Sequence, residues 1–253
     1  MSATYSDVDG SDDPATAIDW QDRVDGWPQI RAYKARVLQL LGDAARVLDV
    51  GCGPGGDVVA VGVDRCVGVD RSQAMCRAAG ARGATAGLAD AHELPFGDAS
   101  FGGVFADRVL QHVERPVRAL AEMSRVLRRG GRLVIADPDQ ESLVIHVPGV
   151  RRELVDRVKA VRRDVGYRNG RLVSSLPSVF ATMQLADVTV EPFALSLTDP
   201  SDAFGLPGWP ASWGTAHGFS AEDVVEWQQG IERAGNEGFL YSLIYFVVSG
   251  VRT

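Results

Sequence analysis

Cysteines, lysines and long apolar runs are scarce in this 253-residue sequence. Its three cysteines, Cys52, Cys66 and Cys76, form no CxxC pair, and their odd number argues against a disulfide framework. We therefore expect a reduced, cytoplasmic location. No apolar run is long enough to cross a bilayer, so we expect no membrane partner.

The excess of acidic over basic residues argues against nucleic acid as a partner. The chain carries 26 basic and 33 acidic residues, whereas general nucleic-acid binding requires a surface that neutralises phosphates. The cysteines form no zinc pattern and the four histidines lack ligand spacing, so we predict no metal site. The acidic start, MSATYSDVDGSDDP, predicts a disordered tail over residues 1–19 rather than a secretory signal.

The sequence does contain a regular alternation of short apolar segments with helical patterns. A helix is predicted to begin near Pro28 and to end at Gly42. Strands are predicted at residues 46–50, 66–69, 84–88, 103–106 and 132–136. This alternation predicts an α/β fold in which helices cover both faces of a mostly parallel sheet.

The C-terminal part follows another pattern. A mostly helical segment over residues 149–186 precedes a strand near 188–195 and a loop rich in aromatic residues. Ser220 begins a further helix, with Asp223 in the position of a reciprocal cap. The last strand, 239–251, is long. Two late strands joined by a long excursion suggest an antiparallel edge on the sheet.

The first predicted strand leads into a glycine-rich turn, VLDVGCGPGGD, at residues 47–57. Gly51, Gly53 and Gly56 match G-x-G-x-x-G between a strand and a helix, which alone is weak evidence for a ligand. Glycine lets the backbone approach a ligand closely, and open α/β sheets bind ligands at the carboxyl ends of their strands. The alternative is a tight turn without a ligand.

Two later acids lie where a bound nucleoside would need them. Asp70 ends the second strand and can accept hydrogen bonds from two ribose hydroxyls. Asp90 follows the third strand and can accept from an adenine amino group, while the Ala91 amide donates to a ring nitrogen. The alternatives are a helix N-terminal acid for Asp70 and an ordinary loop acid for Asp90.

Five segments in order strengthen this interpretation: VLDVGCGPGG, GVDRSQAM, ADAHELPF, FADRVLQHV and VLRRGGRLVIADPD. Together they resemble the class I S-adenosylmethionine-dependent methyltransferases, most closely the small-molecule branch with ubiquinone- and menaquinone-type enzymes (methyltransferase domain 11). The resemblance covers roughly residues 46–139. It implies a doubly wound, Rossmann-like sheet of seven strands with an antiparallel last strand. It also implies S-adenosylmethionine as the cofactor and S-adenosylhomocysteine as the product.

The resemblance assigns roles to matching residues. Asp49, Gly51 and Gly53 would surround the methionine part of the cofactor. Met75 would pack near the adenine, and Arg108 matches a position that often touches the cofactor.

Further features bear on how the cofactor is held. Arg71 stands where an apolar residue usually packs on adenine in this family, so its guanidinium either stacks on the base or points to solvent. In similar enzymes an N-terminal helix closes over the cofactor. Residues 20–42 are therefore predicted to form a lid helix from which Tyr33 or Arg31 binds the cofactor carboxylate, unless the helix only packs on the sheet. Asp49 favours a cationic sulfonium over a pyrophosphate, because no basic residue is evident near the turn.

Residues beyond the fourth and fifth strands are candidates for catalysis and acceptor binding. His112, next to Gln111, can accept a proton near neutral pH, although a structural histidine would give the same pattern. Asp137 and Asp139 can bind a cationic or hydroxylated acceptor, or they are ordinary loop acids.

Two C-terminal segments also bear on the acceptor. Residues 151–171 hold eight basic and three acidic residues, which form either a solvated helix face or, through Arg162 and Arg163, a guide for an anionic acceptor. Trp209 and Trp213 lie in a loop rich in proline and glycine, where they form either a lid over a flat acceptor or a cover on the core.

We therefore expect one methyltransferase domain over residues 20–253, with a cofactor-binding core at 45–139 and substrate-cap segments at 140–186 and 196–236. The expected reaction is methyl transfer to oxygen or nitrogen, or to carbon, of a small molecule in specialised metabolism, by a monomer or homodimer. The alternatives are an NAD(P)-dependent oxidoreductase, a non-catalytic S-adenosylmethionine-binding module, and a protein that uses the bound sulfonium to steer another reaction without methyl loss.

Overall fold

A mixed sheet of seven strands organises residues 9–10 and 13–253, the part of the chain that the computed structural model describes. The strands are β1 (Val47–Val50), β2 (Cys66–Asp70), β3 (Ala86–Leu88), β4 (Phe101–Asp107), β5 (Leu127–His146), β6 (Leu185–Leu197) and β7 (Leu240–Arg252). Their order is β3-β2-β1-β4-β5-β7-β6. Strands β1 to β5 run parallel, whereas β7 is antiparallel to β5 and β6. The expected Rossmann-like architecture with an antiparallel last strand is confirmed.

Helices pack on both faces of this sheet. They are α1 (Pro14–Asp25), α2 (Pro28–Leu41), α3 (Gly56–Val61), α4 (Gln73–Ala81), α5 (Pro116–Val126), α6 (Arg152–Val161), α7 (Leu176–Thr182), α8 (Trp209–Trp213) and α9 (Ala221–Glu237). Successive strand residues face opposite ways, so Val134 packs in one apolar cluster while Leu133 and Ile135 pack in another. Over residues 9–10 and 13–253, none of the helices has the length and apolar character needed to cross a membrane.

The segment that begins at Asp13 differs from the expected disordered tail. Oδ1 of Asp13 accepts a hydrogen bond from the Ala15 amide at 3.1 Å, and Pro14 occupies the first helical position, so α1 has a complete start. The predicted tail is wrong from Asp13 onward. Its remaining part lies outside the described residues, apart from residues 9 and 10.

The predicted lid helix over residues 20–42 consists of two helices. The backbone of Trp27 is extended (φ −71°, ψ 140°), which is the conformation expected before a proline. Helix α1 therefore ends before Trp27 and α2 starts at Pro28, so the chain turns between them.

Strand β5 is much longer than the predicted segment 132–136. It begins at Leu127 and continues to His146, because β7 pairs with it antiparallel from Arg132 onward and satisfies its backbone groups. Beyond Ala136, β5 continues past the end of β4 and pairs only with β7.

The C-terminal helices are shorter and more interrupted than expected. Helix α6 leads into a π-helical turn, Arg162–Gly166, and α7 follows only after a short 3-10 segment. The reciprocal cap is present in α9, since the Asp223 amide donates to Ser220 Oγ at 3.1 Å and the Ser220 amide donates to Asp223 Oδ2 at 2.9 Å.

Two glycines of α9 lie in contrasting environments. A Cβ built on Gly230 would lie 2.4 Å from Val150 Cγ2 and 2.8 Å from Val147 Cγ1, whereas one on Gly235 would have nothing within 4 Å. We predict that Gly230→Ala lowers the free energy of unfolding by about 1–3 kcal/mol through overpacking. Gly235→Ala should raise it by about 0.4–1 kcal/mol, because alanine restricts the unfolded chain. Urea denaturation measures both values, and equal effects would contradict this packing.

A candidate cofactor and acceptor cavity

A cavity of about 660 Å³ lies at the carboxyl ends of β1, β2 and β4. Its other walls come from α1, the extension of β5, β7 and the π-helical turn after α6. Ten predicted site residues line it: Gly51, Gly53, Asp70, Arg71, Met75, Asp90, Ala91, Arg108, Gln111 and His112. The fold therefore brings most of the predicted site together in one place.

The glycine turn forms the floor of the cavity. Gly51 and Gly53 have φ values of +77° and +51°, which disfavour residues with a side chain. A Cβ on Gly53 would lie 2.7 Å from Nε2 of Gln21 in α1, so the lid helix lies directly over the turn. The side chain of Gln21 therefore lies beside the backbone of the turn.

Asp70 is held in place at the end of β2. Its Oδ2 accepts from the Gly53 amide at 2.9 Å and its Oδ1 accepts from the Ser72 amide at 2.8 Å. Burial raises the pKa of Asp70, although hydrogen bonds from the Ser72 and Gly53 amides oppose this shift. Each carboxylate oxygen keeps a further lone pair, so the group can accept from two hydroxyls at once.

The loop after β3 is tied to α5 through a histidine. Oδ1 of Asp90 accepts from the His92 amide at 2.8 Å and lies 2.5 Å from His92 Nδ1. Since Nε2 of His92 accepts from the Arg115 amide at 3.1 Å, Nδ1 carries the proton and donates to Asp90. His92 thereby fixes Asp90 and Ala91 at the cavity, a structural role that sequence analysis did not assign.

Buried acids lie behind the glycine turn. Asp49 is 2% exposed, is set back from the cavity, and has an Oδ2 atom without a hydrogen-bond partner among the described residues. Burial and the nearby Asp57 raise its pKa well above the ordinary value.

The expectation that no basic residue near the turn offsets the charge of Asp49 is wrong. Lys34 Nζ, from α2, lies 2.5 Å from Asp57, 3.0 Å from Asp107 and 3.2 Å from Asp25. The acids nevertheless outnumber this cation.

Tyr33 is set back from the cavity, which differs from the expectation that it touches the cofactor. Its ring is fully buried against Tyr245, with centroids 5.1 Å apart, and its hydroxyl donates to Asp107 Oδ1 at 2.8 Å. Arg31 is exposed and also lies outside the cavity. Asp107, which sequence analysis missed, lines the cavity in their place.

Arg108 lines the cavity but is already paired. Its φ of +58° is unusual for a residue with a side chain. Its guanidinium forms ion pairs with Asp25 and, at 3.3 Å, with Asp107. These contacts join the end of β4 to α1.

Asp137 and Asp139, which were expected to bind the acceptor, accept hydrogen bonds from backbone amides instead. Asp137 is buried outside the cavity, and its Oδ2 accepts from the Leu110 amide at 3.0 Å, so it positions the loop that carries Gln111 and His112. Oδ1 of Asp139 accepts from the Glu141 amide at 3.1 Å. Neither residue lines the cavity, and Oδ1 of Asp137 is buried without a hydrogen-bond partner among the described residues.

The aromatic loop covers the core rather than forming an open lid. Trp209 is buried, and its Nε1 donates to the Phe204 carbonyl at 3.0 Å. Trp213 packs on Trp209 with ring centroids 5.5 Å apart. Neither tryptophan lines the cavity, whereas Phe204 does.

Sequence analysis missed several residues of the far wall, namely Gln140, Tyr167, Phe204, Leu243 and Tyr245. They come from β5, β7 and loops far apart in sequence, so no local motif marks them. Arg162 also lines this wall, and the basic character of its segment was the only available signal. In the described part of the chain, no group of three or more metal-ligating side chains is close enough to hold a metal ion.

Comparison with known proteins agrees with this geometry. Residues 48–135 match the family model described as "Methyltransferase domain". An uncharacterised 37.1 kDa protein in transposon TN4556 of Streptomyces fradiae is 34% identical over 233 residues, which cover 84% of this chain and 59% of that protein. The O-methyltransferase cnsE of Penicillium expansum is 40% identical over 142 residues, covering 48% of this chain and 51% of that protein. The chain thus spans a little over half the length of these two relatives.

A solved structure shows the same fold. Phosphoethanolamine N-methyltransferase 2 of Haemonchus contortus, in complex with phosphomonomethylethanolamine and S-adenosylhomocysteine, superposes with a TM-score of 0.60 at 19% identity. The match covers 98% of this chain and 60% of that chain.

His112 provides a test of the electrostatics of the far wall. Burial, followed by the positive charges of Arg162 and Arg108, lowers its pKa from 6.5 to about 4. The ring should therefore be neutral above about pH 5, and its NMR titration should have a midpoint near 4. Arg162→Met should raise this midpoint because it removes a repelling cation, whereas Arg163→Gln should leave it unchanged. A midpoint near 6.5 in the wild-type protein would contradict this arrangement.

Proposed function

We propose that the protein is a class I S-adenosylmethionine-dependent methyltransferase that methylates a small-molecule acceptor; the match of residues 48–135 to the methyltransferase domain model and the order of the seven strands support this. Oxygen or nitrogen is the proposed acceptor atom, and carbon is the alternative. The O-methyltransferase name of the Penicillium relative supports oxygen. The observation that carries the proposal is Asp70, held by two amides beside a glycine turn in the lining of the cavity.

The charges around the turn fit a cationic cofactor. Asp25, Asp57 and Asp107 share the cations of Lys34 and Arg108, so with Asp70 the acids near the turn still outnumber the cations paired with them. Asp49 adds a buried oxygen without a partner among the described residues. This excess of acids favours a sulfonium and an ammonium, and it disfavours the pyrophosphate of a nicotinamide dinucleotide. The oxidoreductase alternative is therefore the weaker one.

S-adenosylmethionine, when bound, supplies a methyl group activated by a cationic sulfur. Around it, the backbone at Gly51 and Gly53 would face the methionine part, and Asp70 would accept from the ribose hydroxyls. Ala91 and Asp90 would contact the adenine edge, with Met75 and Arg71 beside the ring; all of these residues line the cavity. The ion pairs of Arg108 give it a supporting role in this arrangement.

Gln111 and His112 are the proposed catalytic residues. Both line the cavity, and the amide at position 110 anchors their loop to the buried Asp137. Gln140 Nε2 donates to Gln111 Oε1 at 3.3 Å, which orients that side chain toward a shared polar wall. His112 is in its neutral, proton-accepting form at cellular pH, but with a pKa of about 4 it is a weak base in the free protein, so the proposed proton transfer requires that the bound ligands raise this pKa. We propose a cytoplasmic monomer or homodimer that acts without a metal or nucleic acid.

Asp70→Asn tests cofactor binding. We expect the dissociation constant for S-adenosylhomocysteine to rise about tenfold to a hundredfold, because hydrogen bonds to a charged group contribute about 1.5–3 kcal/mol. Asp64→Asn, in the exposed turn before β2, is the matched control and should bind within about twofold of wild type. Isothermal titration calorimetry measures both. Tighter binding of NADH than of S-adenosylhomocysteine by the wild-type protein would refute the proposal.

His112→Gln tests proton transfer. Loss of a general base should lower kcat by about a hundredfold, while calorimetry should show S-adenosylhomocysteine binding within about twofold of wild type. His146→Gln, at an exposed position outside the cavity, is the control and should leave kcat unchanged. An unaltered turnover rate and pH profile in His112→Gln would show that His112 is not the catalytic base.

A further inference from the structure

The guanidinium of Arg162 is a buried cation without a carboxylate partner in the described part of the chain. Arg162 begins the π-helical turn after α6 and is 6% exposed, yet it lines the cavity. Its Nη2 donates to the hydroxyls of Tyr167 at 2.7 Å and Tyr241 at 3.4 Å. Its Nε has no hydrogen-bond partner among the described residues. The groups that act on it most strongly are tyrosine hydroxyls rather than carboxylates.

Aromatic rings hold this cation in position. The guanidinium carbon lies 4.0 Å from the ring centroid of Trp209, 4.8 Å from that of Tyr167 and 5.8 Å from that of Phe204. Cation–π contacts use the face of the guanidinium and leave its in-plane N–H groups available as donors. The tryptophan expected to touch the acceptor therefore acts indirectly, because Trp209 supports Arg162 from behind.

Two nearby arginines, Arg163 and Arg108, have the carboxylate partners that Arg162 lacks. Arg163, the next residue, is paired with Asp164 at 2.7 Å near the surface. Arg108, in the same cavity, is paired with Asp25 and Asp107. Burying a cation without a counter-ion is strongly unfavourable. An anion supplied by a ligand would remove this penalty at Arg162.

The surrounding wall indicates what is attached to that anion. Phe204, Leu243 and Tyr245 present aromatic and apolar surface to the cavity beside Arg162. Gln140 is buried there with an Oε1 atom that lacks a partner among the described residues, so one further polar group of the ligand can be bound. This combination suits a flat, apolar body with an anionic end and a hydroxyl or amino substituent.

We propose that Arg162 binds the carboxylate of an aromatic carboxylic acid, and that this acid is the methyl acceptor, an inference that rests on the proposed function. A monoanion fits better than a phosphate dianion, because Arg108, the other guanidinium that acts on His112, is already paired with Asp25 and Asp107. The ring of His112 lies 5.4 Å from that of Tyr167, whose hydroxyl accepts a hydrogen bond from Arg162. A carboxylate at Arg162 would thus direct the rest of the acid toward His112.

Ligand-observed NMR titrations with three matched probes test this inference. Benzoate, benzamide and phenyl phosphate are titrated into the protein saturated with S-adenosylhomocysteine, whose own binding is measured separately by calorimetry. We expect benzoate to bind at least about tenfold more tightly than benzamide, because a charge-assisted hydrogen bond is lost in the amide. Phenyl phosphate should bind more weakly than benzoate.

Variants of Arg162 and Arg163 test which residue causes the preference for benzoate. Arg162→Met should abolish the preference for benzoate and leave S-adenosylhomocysteine binding within about twofold, since methionine removes the charge but keeps a side chain of similar length against Trp209. Arg162→Lys keeps the charge without the planar fork and should retain part of the preference. Arg163→Gln is the matched control and should behave like the wild-type protein.

The outcomes separate the inference from the proposed function. Equal binding of benzoate and benzamide by a protein that binds S-adenosylhomocysteine overturns the inference alone. Tighter binding of phenyl phosphate, or a preference for benzoate that survives in Arg162→Met, overturns it as well. Absence of S-adenosylhomocysteine binding in calorimetry refutes the proposed function instead.

Discussion

The ammonium group of Lys34 lies among the carboxylates of Asp25, Asp57 and Asp107 at the carboxyl end of the sheet. These acids come from α1, α3 and β4, so a single buried cation joins three elements to α2. Burial alone would lower the pKa of Lys34, but the three carboxylates together raise it above the ordinary value. The cluster keeps the two N-terminal helices over the glycine turn.

The cavity has opposite charges at its two ends. Near the glycine turn the acids outnumber Lys34 and Arg108, the two cations paired with them, whereas Arg162 supplies a cation without a carboxylate partner among the described residues at the far wall. Such a distribution would orient two ligands of opposite charge toward each other. In enzymes that transfer a group from an activated donor, alignment of the reactants supplies much of the rate. The separation of charge is therefore a means of alignment as well as of recognition.

The parts of the site that the sequence could predict are local. Gly51, Gly53 and Asp70 lie in a strand–turn–helix pattern, whose backbone requirements are fixed within a few residues, and the structure places them at the cavity. The position of Lys34 depends on how α2 packs against the sheet, so its contact with Asp57 had no signal in the sequence. Arg162 was one of eight basic residues in its segment. Only the π-helical turn and the aromatic rings determine that it, and not Arg163, faces inward.

The most direct measurement follows the methyl group itself. The protein is incubated with S-adenosylmethionine labelled on its methyl carbon and with a metabolite extract of the host, and labelled products are identified by mass spectrometry. The account predicts that label appears in a small aromatic carboxylic acid, with release of S-adenosylhomocysteine. Retention of all label on S-adenosylmethionine, together with tight binding of NADH, would contradict it.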